Sequence, residues 1–264
     1  IKKGGVPESE RALDDHFNML LPIKTDAEFS ELIDEAVVRH SNSINEKLNK
    51  YTGYFNKKGK WVSGYKECAW VSTEKPFVIA LASYDQVNYG KEYIYSMLAL
   101  LHGLYYSPER KIFTTKSSII KPGTASPIDL GMFNLERMND VSAVIFSNTL
   151  TLGKMSSLSK SVQMDPMHVI NVRYDYEPPH YKIQEVNEDH PEHLLDGLYV
   201  FHNPNAKVKF DCCEFKDNHV LEISLVDGAI VMDGARRPIV ARYCDPLGHI
   251  NNQLIMSTAA SEYN

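Results

Sequence analysis

The sequence predicts an α/β protein in which helices flank a mixed central sheet, followed by an antiparallel, β-rich C-terminal extension. Three short apolar runs, 76–82, 141–146 and 168–173, alternate with segments of helical periodicity. Such runs are typical of strands buried on both faces of a sheet. From residue 198 the apolar runs follow one another more closely, which favours hairpins over crossover helices.

The C-terminal extension contains five short apolar runs and an Asp227-Gly228 pair of the kind that favours a tight hairpin. One of these runs, 207–210, predicts a strand. We therefore divide the chain into a core portion at 1–197 and an extension at 198–264 that packs on the same sheet.

Three helices are predicted between the strands. Thr25 or Asp26 is suited to cap a helix whose apolar residues fall on one face as far as Val37, and which continues or restarts toward Leu48. Residues 92–106 predict a helix that is apolar on nearly all sides and ends before Pro108. Residues 149–161 predict a third, shorter helix.

Glycine-rich and proline-containing segments predict loops or hairpins elsewhere. Residues 51–66 contain three glycines and predict a loop or hairpin, and a second hairpin is predicted around Lys121-Pro-Gly123. Residues 175–197 are acidic and contain three prolines, which favours a covering loop with a short helix.

Composition is that of an ordinary globular protein, with 43% hydrophobic and 23% charged residues and a formal charge of −6. No apolar run approaches the roughly 20 residues that span a bilayer. The four cysteines include no C-x-x-C pair, which argues against zinc and favours reduced thiols in the cytoplasm. Because the chain begins at Ile1 rather than Met, we expect a processed, truncated or partly observed form.

Polar residues gather where the apolar strands end, and ligands collect at the carboxyl ends of strands in α/β sheets. The 148–154 loop resembles a phosphate-binding loop only weakly, since Asn148 replaces its first glycine and Met155 its magnesium-binding hydroxyl. Residues 201–207 place a histidine, two asparagines and a lysine after a strand. These side chains either face a ligand or form a tight turn to which His202 is hydrogen-bonded. The residues predicted to face a ligand at one common edge are Asp85, Asn148, Lys154, Arg173, His202 and Asn203.

The segment that begins at Asp211 carries an acid–base spacing used by magnesium-dependent nucleases. Glu214 and Lys216 would share one face of a strand, with carboxylates holding the metal and the lysine orienting the attacking water. Such triples are common, and a solvated hairpin is the alternative. Asp211, Glu214 and Lys216 are therefore only candidate catalytic residues.

Between residues 47 and 66 the chain combines lysines with aromatic residues. Lysines neutralise phosphates and aromatic rings stack on bases, so this segment predicts a surface for DNA or RNA; a solvated loop is the alternative. A second basic segment contains Arg110, Lys111, Lys116 and Lys121. The residues predicted to contact nucleic acid in the first segment are Lys50, Lys57, Lys58, Lys60 and Trp61.

Three blocks of the chain, at 75–81, 140–154 and 197–207, resemble a family of uncharacterised bacterial proteins. That family shares "KPFVIAI", "ISAVLFSNSATLGK" and "GLSVFHNPNAK" blocks in this order, and its members carry upstream a restriction-endonuclease-like (PD-(D/E)xK) core with a "PDF…VEA" pattern. The resemblance implies that 29–50 and 76–82 are the helix and buried strand that follow the metal-binding strands. No "PDF…VEA" match precedes residue 29, so the acidic pair is not carried over to any residue here.

The resemblance implies a nucleic-acid-processing protein, a magnesium-dependent endonuclease or its non-cleaving remnant, with a role in phage defence. Magnesium is then the implied cofactor, with its ligands upstream of Ile1. The alternative is a non-catalytic interaction or assembly domain whose tyrosine-rich surface binds a protein partner or a second copy. A small-molecule hydrolase that uses the turn at His202 is a third alternative.

Overall fold

A computed structural model describes residues 25–83, 94–164, 167–174, 181–211, 219–235 and 237–245. The helices are α1 (Asp26–Thr52), α2 (Tyr95–Met97) and α3 (Leu152–Lys160). The strands are β1 (Tyr54–Phe55), β2 (Trp61–Val62), β3 (Phe77–Ala82), β4 (Leu104–Ser107), β5 (Ile112–Thr115), β6 (Ser118–Ile120), β7 (Pro127–Asp129), β8 (Val141–Ser147), β9 (His168–Tyr174), β10 (Tyr181–Glu185), β11 (Leu198–His202), β12 (Val220–Val226), β13 (Ala229–Gly234) and β14 (Ile239–Asp245).

The first helix, α1, is continuous over 27 residues. The Thr25 hydroxyl accepts a hydrogen bond from the backbone N–H of Glu28, which satisfies one unpaired donor of the first turn. Its buried stripe, including Ile33 and Ile44, packs into the main core. The helix ends at Gly53, whose φ of 85° is unfavourable for other residues. The predicted helix and its cap are confirmed.

The central sheet has five strands in the order β13-β12-β11-β8-β3. β3 pairs parallel with β8, and β11 pairs antiparallel with β8 but parallel with β12. The side chains of Phe146, Tyr199 and Phe201 are fully buried against the helical layer. The predicted α/β class with a mixed central sheet is confirmed, and the sheet runs without a break across residue 197.

The strand predicted at 168–173 is present as β9, but its predicted place in the central sheet is wrong. β9 pairs antiparallel with β10 on one side and with β14 on the other, forming a separate three-stranded sheet. Both edges of β9 are therefore occupied, which leaves no edge for pairing with β8.

The helix predicted over 92–106 is much shorter in the described residues. α2 continues as a π-helical turn, Leu98–His102, and stops at Gly103, whose φ is 73°. The next residues form β4, which pairs antiparallel with β5. Leu98–His102 is buried on all sides, so its apolar residues show no periodicity that would mark the end of the helix.

Three predicted hairpins are confirmed, at β1–β2, β6–β7 and β12–β13. The last turns at Asp227 and Gly228, with φ values of 50° and 78°, the left-handed pair that a two-residue hairpin requires. The predicted strand at 207–210 is wrong, because these residues form no strand pairing. Within the described ranges, none of the helices combines the length and apolar content needed to cross a membrane.

Candidate nucleic-acid interface

The carboxyl ends of β3 and β8 meet at one edge of the central sheet, as predicted. The strands are parallel, and the backbone N–H of Ser83 donates to the carbonyl of Ser147 across 2.8 Å. Asn148 follows directly and is buried. Asp85 lies outside the described residues, so this edge is defined here by Ser83 and Asn148.

His202 and Asn203 lie at the opposite edge, so the prediction of one common edge is wrong for them. β11 runs antiparallel to β8, with Tyr199 opposite Phe146 and His202 opposite Ala143. The carboxyl end of β11 is therefore beside the amino end of β8. There the His202 ring lies 3.2 Å from a carboxylate oxygen of Glu222.

Lys154 takes part in a buried ion-pair network, defined here as Lys154, Arg173, Glu192, Asp196 and Arg242. The Lys154 ammonium lies 2.9 Å from Glu192 Oε1 and donates to two backbone carbonyls. Arg242 pairs with both oxygens of the Glu192 carboxylate. Arg173 holds Asp196 with two hydrogen bonds of 3.2 and 2.9 Å.

The role of the network is structural, because its charged groups pair with one another. It ties α3, β9 and β14 to the 187–197 loop. Burial alone would raise the pKa of the Glu192 carboxyl, but the hydrogen bonds and charges of Arg242 and Lys154 outweigh it and lower that pKa. Asp196 behaves in the same way through Arg173. Sequence reasoning missed Glu192 and Arg242, which are 50 residues apart.

A second feature missed from the sequence is the buried ring of His40. Its Nε2 lies 3.1 Å from the hydroxyl of Ser83 and its Nδ1 lies 3.3 Å from the hydroxyl of Ser96. Burial, with a smaller contribution from the charge of Arg39, lowers the pKa of His40 to about 3. The ring is therefore neutral at physiological pH and joins α1 to the carboxyl-end edge of the sheet.

The lysine–aromatic surface is formed by the segment from β1 to the loop before β3. Phe55 is 71% exposed, Trp61 42% and Trp70 76%, and Trp61 and Trp70 are the only tryptophans of the chain. We define this surface as Tyr54, Phe55, Lys57, Lys58, Lys60, Trp61, Tyr65 and Trp70.

The hairpin at the centre of this surface is held by the side chain of Asn56. Its Oδ1 accepts hydrogen bonds from the backbone N–H groups of Lys58 and Lys60, at 2.9 and 3.0 Å. Across the strands, the Phe55 and Trp61 rings meet edge to face with centroids 5.1 Å apart. The loop backbone is thus ordered while its lysine side chains point into solvent.

The lysines of the segment differ in how they are paired. Lys50 forms a surface ion pair with Glu46 at 2.9 Å. Lys57, Lys58 and Lys60 are exposed, and none of them forms an ion pair with another described residue. These three ammonium groups are therefore available to an external anion.

A small pocket adjoins this surface at the amino ends of β3 and β8. It has a volume of about 280 Å³ and is lined by Tyr51, Lys66, Thr73, Lys75, Asp140, Lys207 and Val208; we call it the Asp140 pocket. The Lys66 and Lys207 ammonium groups lie 2.6 and 3.0 Å from the two oxygens of Asp140.

Asn203 positions the turn that brings Lys207 to this pocket. Its side-chain amide donates to the carbonyls of Met138 and Val141, at 2.9 and 2.8 Å, on either side of Asp140. The backbone N–H of Lys207 then donates to Asn139 across 2.8 Å. The turn predicted to hold functional residues thus contributes Lys207 at this edge.

The candidate catalytic residues are only partly described. Asp211 is exposed and outside any strand, while Glu214 and Lys216 lie outside the described residues. Among the residues that the structure describes, no three or more His, Cys, Asp or Glu side chains are grouped so that they could hold a metal ion.

A larger groove, of about 860 Å³, lies between β4–β5 and β12–β13. Among the described residues that line it, Asp233 is charged and none is a lysine or an arginine.

Comparison with known proteins found no matching family model, no matching curated protein and no matching solved structure.

Proposed function

We propose that this protein binds single-stranded nucleic acid through the lysine–aromatic surface. The proposal is carried by one observation: the same ordered hairpin exposes large aromatic rings and three lysines that form no ion pair with another described residue. Base stacking on aromatic side chains and neutralisation of phosphates by lysine are the two interactions that hold single strands without sequence preference.

A single strand suits this surface better than a duplex. Phe55 and Trp70 expose most of their area, and a ring can stack only on a base that is itself unstacked. Lys57, Lys58 and Lys60 lie between Phe55 and Trp61 in the sequence, so cations and rings alternate along this hairpin.

The chain has a net charge of −6, so binding depends on the local charge of this surface. Residues 54–75 contain five lysines and two glutamates. A local positive surface on an acidic protein attracts a polyanion only at that place.

The two tryptophans provide the readout. Titrating the protein with a 20-nucleotide oligothymidine should quench its tryptophan fluorescence, and the affinity should fall steeply as salt rises. Each neutralised phosphate contributes about −0.7 to the slope of log K against log salt for a single strand. Replacing Lys57, Lys58 and Lys60 together by glutamine should therefore make the slope shallower by about 2.

A triple variant with the same change of charge serves as the control. Arg137, Lys160 and Lys182 lie outside both the lysine–aromatic surface and the second basic segment, and their replacement by glutamine should leave the slope unchanged. An equal effect of the two triple variants would contradict the proposal, as would an oligonucleotide affinity that does not respond to salt. The latter result, with self-association of the chain, would favour an assembly domain.

The finer proposal, cleavage of the bound strand with magnesium, rests on the sequence resemblance and on the spacing of Glu214 and Lys216. Its test is incubation of the oligonucleotide with the protein and magnesium, with EDTA as the control. If the oligonucleotide stays uncleaved with both protein and magnesium present, the cleavage proposal is wrong. The binding proposal is not affected by that result.

A further inference from the structure

The Asp140 pocket differs from the open lysine–aromatic surface in being concave and partly closed. Its lining comes from four separate parts of the chain: Tyr51 at the end of α1, the 66–75 segment, Asp140 and the Lys207 turn. The Tyr51 side chain is buried. A volume of about 280 Å³ accommodates a phosphate group with part of the sugar that carries it.

Asp140 organises the cations of this pocket. Its two oxygens hold the Lys66 and Lys207 ammonium groups at 2.6 and 3.0 Å. Burial alone would raise the pKa of the Asp140 carboxyl, but the hydrogen bonds and charges of the two lysines lower it. Asp140 is therefore ionised at neutral pH and keeps both lysines at the pocket in the absence of a ligand.

The pocket has more positive than negative charge. Lys66, Lys75 and Lys207 contribute three cations and Asp140 one anion. Lys75 is exposed and forms no ion pair with another described residue. The excess of two charges matches a phosphate monoester, which carries about −1.5 to −2 at pH 7, better than an internal phosphodiester, which carries −1.

The chain connects the pocket directly to the lysine–aromatic surface. Lys66 follows Tyr65 of that surface, and Trp70 lies between Lys66 and Lys75 in the same segment. The ring of Tyr65 is near that of Trp70, with centroids 6.0 Å apart. A single-stranded nucleic acid whose bases stack on these rings therefore passes close to the pocket.

We propose that the Asp140 pocket binds the terminal phosphate of the strand that lies on the lysine–aromatic surface, so that the protein prefers a phosphorylated end. This inference rests on the proposed function. A concave, partly closed pocket favours the end of a chain, whereas an internal phosphodiester needs an open path on both sides.

The test compares three 12-nucleotide oligothymidines that carry a 5′-phosphate, a 3′-phosphate or hydroxyls at both ends, by tryptophan fluorescence at pH 7.5. One phosphorylated oligonucleotide should bind about tenfold more tightly than the hydroxyl form, which corresponds to about 1.4 kcal/mol. The preferred form identifies which end enters the pocket. Because the second pKa of the phosphate is about 6, the preference should shrink at pH 5.5.

Two double variants with equal changes of charge separate the pocket from the surface. Lys75→Gln with Lys207→Gln should bring the affinity ratio of phosphorylated to hydroxyl oligonucleotide close to one. Lys57→Gln with Lys58→Gln should weaken the binding of all three oligonucleotides and leave that ratio unchanged.

The possible failures are distinguishable. Equal affinities of the wild-type protein for all three oligonucleotides would overturn the pocket proposal and leave the proposed function intact. A preference that survives the Lys75/Lys207 variant would also overturn it. Binding of none of them would overturn the proposed function itself, and with it this inference.

Discussion

The ring of Tyr51 stacks face to face on the ring of Phe77, with centroids 3.8 Å apart and planes inclined by 8°. Tyr51 stands in the last turn of α1 and Phe77 begins β3. The stack therefore joins the helix that leads into the lysine–aromatic surface to the central sheet. Because Tyr51 also lines the Asp140 pocket, the position of both candidate sites depends on this aromatic pair.

Replacing Phe77 by leucine should destabilise the protein by about 1 kcal/mol, since an aromatic pair contributes about 0.5–1.5 kcal/mol beyond the area that it buries. Urea unfolding measures this loss as a lower midpoint. Phe55→Leu is the matched control, because Phe55 is exposed and should change stability by less than about 0.5 kcal/mol. Equal midpoints for the two variants would show that the stack contributes nothing to stability.

Replacing Glu192 by glutamine should destabilise the fold by about 3 kcal/mol or more. The change leaves Lys154 and Arg242 buried beside a neutral group, and removal of one partner of a buried ion pair costs about 3–5 kcal/mol. Glu46→Gln removes the same charge from an exposed pair with Lys50 and should leave the urea midpoint unchanged. A Glu192 variant as stable as the Glu46 variant would contradict the role assigned to the network.

The stability of the protein should decrease as pH falls from about 6.5 toward 3. The pKa of His40 is about 3 in the folded protein, against about 6.5 in an unfolded chain. Between these values the unfolded state binds a proton that the folded state does not, so stability is fully present above pH 6.5. His40 therefore contributes a slope of up to about 1.4 kcal/mol per pH unit to the dependence of the free energy of unfolding on pH.

Urea unfolding at pH 7.5, 6.5, 5.5 and 4.5 tests this, with His40→Gln as the variant. The variant should be less stable at pH 7.5 but show a shallower slope between pH 6.5 and 4.5. Part of the slope should persist, because burial also lowers the pKa of His102, to about 4. Exposed His190→Gln should keep the wild-type slope; an unchanged slope in His40→Gln would contradict the assignment.

The strands of the central sheet were predictable from local pattern, but their pairing was not. The apolar runs that became β3, β8 and β11 stand out in the sequence because each is short and rich in β-branched or aromatic residues. The residues of one apolar run do not determine whether the adjacent strand in the sheet is parallel or antiparallel to it. The antiparallel pairing of β11 with β8 therefore placed His202 at the opposite edge from Asn148.

Side-chain partners that are distant in sequence were equally hidden. The sequence predicts that Lys154 faces a ligand, but its ammonium is buried against Glu192, which Arg242 also holds. Both partners come from other segments of the chain. The sequence alone does not distinguish a charged residue that faces a ligand from one that faces a buried counterion. The lysine–aromatic segment is visible in the sequence because its residues are contiguous, although Trp70 lies beyond the predicted segment 47–66.

Lys57, Lys58 and Lys60 stand on one hairpin of an acidic chain, and none of them forms an ion pair with another described residue. The chain carries a formal charge of −6, so a polyanion is attracted only locally. For the nucleic-acid binding proposed above, added salt should therefore lower the rate of association more than it raises the rate of dissociation.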